Sequence, residues 1–459
     1  MKNLRSKMIS YSYVFRIITT LILLASISKY TLVYGYSIES NDNDKPNILF
    51  ILADDLGQEY VGAYGNDLIR TPNIDRLAEE GMMFTNMFVN PYCTPTRSEL
   101  LTGKYPFRTN TLFPISDYQR HKNYVLDKSE PSFARQLQKA GYKSAIAGKW
   151  QLSFLAHQDW LSDFGFDTYM LWQIQTKEGE RTTRFHNPYY RNDGKIYDEE
   201  IKDRYGPDVL VDFLSDFMEE SHQEGKPFIA YYTALLPHFP WVPTPDSKDK
   251  NLAPGFSRGN DYGIPKFLPD MVQRLDYNVG RLLETLERLD IADNTLVVFL
   301  TDNGTDQHLY SFMNDQVFYG GKGTLTDRGS KVPLLMRWPG KIEPGSKNSD
   351  LIEAADFLPT FVEIAGAPHL EVIIDGRSFA QLLTKSGESY EPKEWVHIQT
   401  TERYLRTKDW IITEDGEYKK VQSYPHDAIE VDKEDLDSVT REKLMSLESI
   451  LKNLNEESN

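Results

Sequence analysis

The chain is poor in cysteine, in positive charge and in long apolar runs. It has 1 cysteine among 459 residues, so no disulfide can form within it. Its formal net charge of −17 argues against nucleic-acid binding and against docking on anionic membranes. The apolar stretch at residues 17–28 has about a dozen residues, fewer than the roughly 20 that a transmembrane helix needs. We find no internal repeat and no low-complexity tract.

The N-terminal segment has the pattern of a secretory signal peptide. Lys2, Arg5 and Lys7 precede the apolar run, and residues 33–35 offer small or medium side chains at the spacing of a cleavage site. We therefore predict a signal peptide over residues 1–35, export, and a periplasmic or extracellular location. An uncleaved anchor is the alternative, but the short run disfavours stable membrane insertion. No cysteine lies near the cleavage point, which argues against lipid attachment.

The remainder of the chain is long enough for a large domain with a smaller companion. Hydrophobic residues make up 40% and charged residues 26%, as in ordinary globular proteins. We predict a catalytic α/β domain over residues 36–385 and a C-terminal subdomain over residues 386–459. The boundary is placed in the polar stretch 384–394, which contains glycine and proline.

Two apolar runs, far apart in sequence, both end in acidic residues. Residues 46–53 are continuously apolar, which is typical of a strand buried on both faces of a parallel sheet, and Asp54 and Asp55 follow. A second such run, residues 294–300, is followed closely by Asp302 and Asn303. If the two strands are neighbours, these side chains form a cage of oxygen ligands for calcium or magnesium. Calcium is favoured because the ligands come wholly from protein.

The lone Cys93 lies at a predicted helix start. Pro95 suits a first helical turn and Thr94 can cap it. The exposed N–H groups and the helix dipole favour an anion there, and Arg97 adds a fixed cation. Cys93 is therefore either incidental or chemically used, and its neighbours favour use.

The string Cys-x-Pro-x-Arg at 93–97, followed by residues 100–106, resembles the signature of the type I sulfatases, the arylsulfatase-like family of the alkaline-phosphatase-like superfamily. The resemblance implies a mixed, mostly parallel sheet flanked by helices. The pattern of residues 395–421 and 436–454 adds a small C-terminal antiparallel sheet and a helix. In that family a formylglycine-generating enzyme oxidises the cysteine, so such an enzyme is a predicted partner.

The same resemblance implies the composition of the active site. The hydrated formylglycine is the nucleophile, and one metal ion per chain binds to five residues: Asp54, Asp55, Asp302, Asn303 and the modified Cys93. The family also assigns roles in sulfate binding or proton transfer to further positions, here Arg97, Lys149, Lys322, His238 and Asp302. Lys149 and Lys322 would hold sulfate oxygens, His238 would protonate the leaving alcohol, and Asp302 would accept the proton of the nucleophile.

The chain departs from the family at Gln151. The motif Gly-Lys-Trp-His contains a histidine assigned to the hydrated aldehyde, whereas glutamine cannot titrate near neutral pH. Hydrolysis of a sulfate monoester, on a carbohydrate or an aryl or alkyl group, is the function that the resemblance implies. Two alternatives stay open: phosphonate or phosphodiester hydrolysis at the same site, and a catalytically weak protein that binds sulfated glycans.

Overall fold

The computed structural model describes residues 45–249, 263–384, 390–424 and 427–456. The predicted signal peptide, residues 1–35, lies outside this part of the chain. Within the described residues, no helix combines the length and the apolar character required to span a bilayer. The predicted domain boundary at residue 385 also falls outside the described residues and stays a prediction.

The bounds of the elements follow in chain order. The strands are β1 Asn47–Ala53, β2 Met82–Phe88, β3 Lys143–Gly148, β4 Thr168–Trp172, β5 Tyr190–Asn192, β6 Lys195–Tyr197, β7 Phe228–Thr233, β8 Thr295–Thr301, β9 Tyr310–Met313, β10 Gln316–Tyr319, β11 Lys331–Arg337, β12 Ser346–Asn348, β13 Ile352–Glu353, β14 Val396–Gln399, β15 Arg403–Arg406, β16 Trp410–Thr413, β17 Tyr418–Lys420 and β18 Ile429–Glu430. The α-helices are α1 Pro72–Glu79, α2 Cys93–Thr102, α3 Pro106–Thr109, α4 Tyr118–His121, α5 Phe133–Lys139, α6 Gly206–Gln223, α7 Leu268–Arg288, α8 Asp327–Ser330, α9 Phe357–Ile364, α10 Ala380–Leu383 and α11 Ser438–Glu456.

The central sheet has 11 strands in the order β12-β2-β11-β8-β1-β7-β3-β4-β5-β6, with β13 paired to β2. The inner strands β8, β1, β7, β3 and β4 are all parallel. Strand β11 is antiparallel to both β8 and β2, so β2 runs in the same direction as β8. The prediction of a mixed, mostly parallel sheet is confirmed.

Strand β1 shows why the sheet needs helices on both faces. Its successive side chains point to opposite faces, and every residue of the strand is buried. Leu49 and Ile51 pack in a core with residues of α6 and α7, whereas Ile48 and Phe50 pack in a second core with residues of α5 and α9. The absence of alternation in residues 46–53 is explained by this burial on both faces.

The predicted C-terminal antiparallel sheet and helix are also confirmed. Strands β14 to β18 pair in sequence order, each antiparallel to its neighbour. One face of this sheet contributes Leu405 and Ile412 to a core with Leu444 and Leu447 of α11. A further core joins residues of β14 to Phe88 of β2, which anchors the small sheet near the strand that precedes Cys93.

Several elements were not predicted from the sequence. The stretch 152–206, for which the sequence predicts no strand, contains β4 and the hairpin β5–β6, which extend the central sheet. A separate hairpin, β9–β10, lies between the second acidic strand end and Lys322. These strands are short, and most of them lack the long apolar runs that identified β1 and β8.

Candidate active site

The sheet topology brings the predicted site residues to one edge. Because β1, β3, β7 and β8 are parallel, their carboxyl ends lie at the same edge. Asp54 and Asp55 follow β1, and Lys149 follows β3. His238 follows β7, and Asp302 and Asn303 follow β8. Strand β2 runs in the same direction and leads to Cys93, while Lys322 precedes the amino end of the antiparallel β11. The predicted convergence is therefore observed.

Cys93 is the first residue of α2 and is buried, with 2% of its surface exposed. Its Sγ lies 3.6 Å from Asp54 Oδ1 and 3.8 Å from Asp55 Oδ1. Burial, followed by the charge of Asp302, raises the pKa of the thiol far above its usual range. The unmodified thiol is therefore protonated and a poor nucleophile.

Thr94 does not cap this helix, contrary to the expectation from sequence. The residue preceding the helix, Tyr92, makes no side-chain cap either. Instead, Thr94 Oγ1 donates to the Gln151 carbonyl at 3.0 Å and accepts from the Ile115 N–H at 3.1 Å. Its hydroxyl thus ties the start of α2 to two neighbouring loops.

Two acidic strand ends and Asn303 form a connected network. The Asp55 N–H donates to Asp302 Oδ1 at 3.1 Å, and Asn303 Nδ2 donates to Asp55 Oδ1 at 2.9 Å. Asn303 Oδ1 is buried and has no hydrogen-bond partner in the described part of the chain. A buried acceptor without a donor, beside carboxylates, fits a ligand of a divalent cation.

Geometry groups one further residue with this set. Potential ligand atoms of Asp54, Asp55, Cys93 and His238 all lie within 4.8 Å of one another. The sequence placed His238 at the leaving group and not among the metal ligands. The chemistry of the donors, mainly carboxylate oxygen, fits a hard divalent cation.

Three cations, of which Arg97 and Lys149 are buried and Lys322 is partly buried, each pair with a carboxylate of this edge. Lys149 Nζ lies 2.7 Å and 2.8 Å from the two oxygens of Asp54. Lys322 Nζ lies 2.6 Å from both oxygens of Asp55. Arg97 donates to Asp302 Oδ2 from Nε at 3.0 Å and from Nη2 at 2.7 Å. The predicted sulfate-binding groups therefore surround the predicted metal ligands.

The two buried aspartates differ in their ionisation. Burial opposes ionisation of Asp54, but Lys149, His238 and Arg97 together hold its pKa well below the usual value. Burial and the neighbouring charge of Asp54 raise the pKa of Asp302 to about 6, although Arg97 opposes the rise. Like charges in one site push the two pKa values apart.

His238 lies at the outer side of this edge and is mostly buried. Its Nε2 is 3.5 Å from Asp55 Oδ2 and 3.4 Å from Lys322 Nζ. Its Nδ1 is 2.9 Å from Arg184 Nη2 and 2.7 Å from the Phe239 carbonyl oxygen. Burial lowers the pKa of His238 well below its usual value, although Asp54 opposes this shift.

Gln151 occupies a strained position beside the site. Its φ is 53°, in the left-handed region that few residues other than glycine adopt. Its Nε2 donates to the Ile115 carbonyl at 3.0 Å, whereas its buried Oε1 has no partner among the described residues. The side chain therefore has one free acceptor at the position where the family has histidine.

Arg184 is a site residue that sequence reasoning did not single out. It lies in the stretch 152–206, which is rich in aromatic and polar residues and in which Phe164 and Phe166 belong to the hydrophobic core. No local sequence signal distinguishes Arg184, because its contact with His238 joins residues 54 positions apart.

Comparisons with known proteins agree with this arrangement. A sulfatase family model matches residues 46–367, and a model of the C-terminal region of N-sulphoglucosamine sulphohydrolase matches residues 318–450. Arylsulfatase A from Bos taurus is 32% identical over 365 residues, 75% of this chain and 69% of that protein. The ulvan-active sulfatase of Formosa agariphila is 29% identical over 404 residues, 86% of this chain and 68% of that protein.

A solved structure is similar over most of the chain. Ps i-CgsB in complex with k-i-k-neocarrahexaose is 25% identical with a TM-score of 0.70, covering 90% of this chain and 93% of that one. Fold and site together define a hydrolase of the alkaline-phosphatase-like superfamily. The chain belongs to the sulfatase family, and its activity is the hydrolysis of sulfate esters.

Proposed function

We propose that this chain is an exported sulfatase that removes sulfate from a saccharide monoester. Formylglycine formed at Cys93 supplies the nucleophile, and one calcium ion binds beside it. The observation that carries the proposal is the position of Cys93, with Sγ within 4 Å of two buried aspartates. Two similar proteins, an ulvan-active sulfatase and one solved in complex with a neocarrahexaose, support a saccharide as substrate.

Oxidation of Cys93 has to precede complete folding. The residue is 2% exposed in the folded chain, so a formylglycine-generating enzyme could not reach its Sγ. The raised pKa of the buried thiol also makes the unmodified residue a poor nucleophile. Both facts favour a modified residue in the active enzyme.

The metal ligands that we propose are Asp54, Asp55, Asp302, Asn303 and the modified Cys93. All lie at one edge of the sheet, and Asn303 Oδ1 lacks a donor among the described residues. A bound divalent ion would neutralise negative charge on the sulfate oxygens. Calcium is the proposed ion, with magnesium as the alternative, because the ligands come from the protein.

Lys149 and Lys322 are proposed to bind the sulfate group. Each ammonium group now contacts both oxygens of one aspartate. The aspartates that these lysines contact are the ones that would bind the metal ion. With a cation on the aspartates, both ammonium groups would be available to sulfate oxygens, where they would stabilise developing negative charge.

Asp302 and His238 are proposed to transfer protons. Asp302 lies beside Cys93 in the same charge network and would accept the proton of the attacking hydroxyl. Arg97 holds Asp302 by two hydrogen bonds and so fixes its orientation. His238, at the same edge, would donate a proton to the leaving alcohol oxygen; this role requires the imidazolium form, which the negative charge of a bound sulfate would favour against the lowered pKa of the ring.

Gln151 favours a second candidate function, binding of sulfated glycans with weak catalysis. Its amide can accept a hydrogen bond through the free Oε1 but cannot exchange a proton near neutral pH. Retention of a sulfated oligosaccharide without sulfate release would support this second function.

Peptide mass spectrometry across Cys93, with protein from the native source, tests the nucleophile. We expect the mass of the aldehyde or its hydrate, and a thiol would contradict the proposal. The same protein is then assayed on paired aryl sulfate, aryl phosphate and phosphonate esters. Preference for the sulfate ester separates the proposed activity from phosphonate or phosphodiester hydrolysis.

Calorimetry and metal analysis test the ion. After chelation, addition of calcium should raise Tm, with about 2.7 kcal/mol of stabilisation at 100 times the Kd. The Asp55→Asn variant should lose this response. A larger response to magnesium than to calcium would reverse the assignment of the ion.

A further inference from the structure

Arg184 is a buried cation without a carboxylate partner. Only 7% of its surface is exposed, yet it forms no ion pair with any carboxylate in the described part of the chain. Its guanidinium carbon lies 4.5 Å from the centre of the Trp172 ring and 5.2 Å from that of Phe185. Two aromatic rings therefore hold the guanidinium in place without neutralising it.

This state contrasts with that of the other cations of the site. Arg97, Lys149 and Lys322 each contact an aspartate oxygen at 2.7 Å or less. In Arg184, Nη2 alone has a hydrogen-bond partner, His238 Nδ1, and the other nitrogens have none among the described residues. A buried charge is costly unless it is paired, so an anion from outside the chain is the expected partner.

A second arginine strengthens the positive potential at this point. Arg181 is half-buried and close enough for its charge to act on Arg184. Burial lowers the pKa of Arg184 to about 10, and Arg181 contributes to that shift, while Asp54 and Asp55 oppose it. Arg184 stays charged at neutral pH, and two neighbouring cations of like sign favour an anion between or beside them.

The position of Arg184 indicates which part of a substrate it would meet. His238 lies between Arg184 and the proposed metal ligands, since its Nδ1 faces Arg184 and its Nε2 faces Asp55 and Lys322. If His238 protonates the leaving oxygen, Arg184 lies on the side of the leaving saccharide and not of the sulfate being transferred. Substituents on neighbouring carbons of a sugar ring are only a few ångströms apart.

We propose that Arg184, supported by Arg181, binds a second anionic group on the leaving saccharide, close to the esterified hydroxyl. The group is a carboxylate or a further sulfate, both of which match the planar fork of a guanidinium. The inference rests on the proposed role of His238 and defines the substrate class as a saccharide with at least two negative charges.

Matched substrates test this inference. One pair is a uronic acid with a single sulfate ester and its methyl ester, and the other is a disulfated hexosamine and its monosulfated form. Within each pair the leaving alcohols are alike, so both members need similar protonation of the leaving oxygen by His238. In one pair, we expect wild-type enzyme to prefer the member that carries the second anionic group by about 10- to 100-fold in kcat/KM, mainly through KM. The pair that shows the preference identifies carboxylate or sulfate.

Variants then locate the preference at Arg184. Arg184→Met should remove it: because Arg184 Nη2 also contacts His238 Nδ1, both members of a pair lose activity, and the member with the second anionic group loses about 10- to 100-fold more. Arg184→Lys should retain part of it, because the charge stays and the fork is lost. Arg191→Met is the control, since Arg191 has a carboxylate partner, Asp159, at 3.0 Å, and we expect the preference to be unchanged. Thermal unfolding of each variant checks that the fold is intact.

Two results would overturn the inference: no preference within either pair for the wild-type enzyme, or an equal loss on both members in Arg184→Met. Failure of the proposed function gives a different result, namely no sulfate release from any of the four esters by protein with confirmed formylglycine. In that case the pairs are compared by calorimetric binding to a Cys93→Ala variant. Arg184→Met must still remove the preference there, and an unchanged preference contradicts the inference.

Discussion

Two buried charge clusters in this chain contain similar acidic and basic side chains and have different roles. One, which we call the catalytic edge, contains Asp54, Asp55, Asp302, Arg97, Lys149 and Lys322 at the carboxyl ends of the parallel strands. The other, which we call the clamp cluster, consists of Glu353, Asp356, Lys393 and His397, with Tyr105 beside them. Lys393 Nζ contacts Glu353 Oε1 and lies 2.5 Å from Asp356 Oδ1. The clamp cluster connects the start of the C-terminal sheet to the segment before α9.

The partners of the carboxylates differ between the clusters. In the clamp cluster, backbone N–H groups occupy both acids: His397 N donates to Glu353 Oε2 at 2.8 Å, and Glu353 N donates to Asp356 Oδ2 at 3.1 Å. At the catalytic edge, both oxygens of Asp54 and of Asp55 contact lysine ammonium groups. Buried charge alone therefore does not mark a site. What distinguishes the catalytic edge is that, among the described residues, side chains alone contact the oxygens of Asp54 and Asp55, and that Cys93 lies beside them.

The largest expected effect is at Cys93. A Cys93→Ser variant keeps a hydroxyl that can attack once but lacks the carbonyl needed to expel sulfate. We expect multiple turnover to fall by at least about 10⁴-fold and a sulfated peptide to accumulate. Peptide mass spectrometry after incubation with substrate measures the adduct. Multiple turnover at the wild-type rate would contradict the proposed chemistry.

The next effect concerns the leaving group. His238→Gln should lower kcat/KM by about 10²- to 10⁴-fold for sulfate esters of sugars, whose alcohols leave only with a proton. For 4-nitrophenyl sulfate we expect a much smaller loss, because nitrophenolate leaves without protonation. Rates over a series of leaving groups provide the measurement. An equal loss on all substrates would assign His238 to sulfate or metal binding instead.

Substitutions in the clamp cluster should change the stability of the protein and not its catalysis. Lys393→Met leaves Glu353 and Asp356 without their cation, and we expect unfolding free energy to fall by about 3–5 kcal/mol. The folded enzyme should keep its kcat/KM. Lys143→Met is the control, because its ion pair with Glu224 is largely exposed and should contribute at most about 1 kcal/mol. Loss of catalysis in folded Lys393→Met would remove the distinction between the clusters.

The smallest expected effect is the pH dependence of stability through His397. Burial, with the charges of Arg403 and Arg108, lowers the pKa of His397 to about 3. The unfolded chain then binds more protons below about pH 6.5, so this contribution to stability is lost as pH falls from about 6.5 towards 3. Neither ring nitrogen has a hydrogen-bond partner among the described residues.

Denaturant unfolding of His397→Leu measures this contribution. The wild type should lose about 2 kcal/mol more than the variant between about pH 6.5 and pH 4.5. Identical pH profiles for the two proteins would show that His397 is not protonated on unfolding.

The strand ends of the catalytic edge were accessible to sequence reasoning. Residues 46–53 and 294–300 are apolar without alternation, and both were predicted as buried strands with acids after them. The observed β1 and β8 are neighbours with Ala53 opposite Thr301, which places Asp54 beside Asp302. Burial on both faces requires such a composition, so the pattern is visible locally.

The outer side of the site was not accessible in the same way. Arg184 meets His238, and Thr94 meets Gln151 and Ile115, through loops whose paths depend on the whole packing. The clamp cluster escaped prediction for the same reason, since Glu353 and Lys393 are 40 positions apart. No periodicity or spacing encodes these contacts.

The sequence by itself determined the buried strands β1 and β8, the carboxylate and amide side chains at their ends and the helix start at Cys93, because local patterns of burial and backbone chemistry specify them. The tertiary structure alone decided which cations are neutralised and which, like Arg184, are left for a ligand. Pairing of charges depends on distances between atoms from remote segments, and only the folded chain sets those distances.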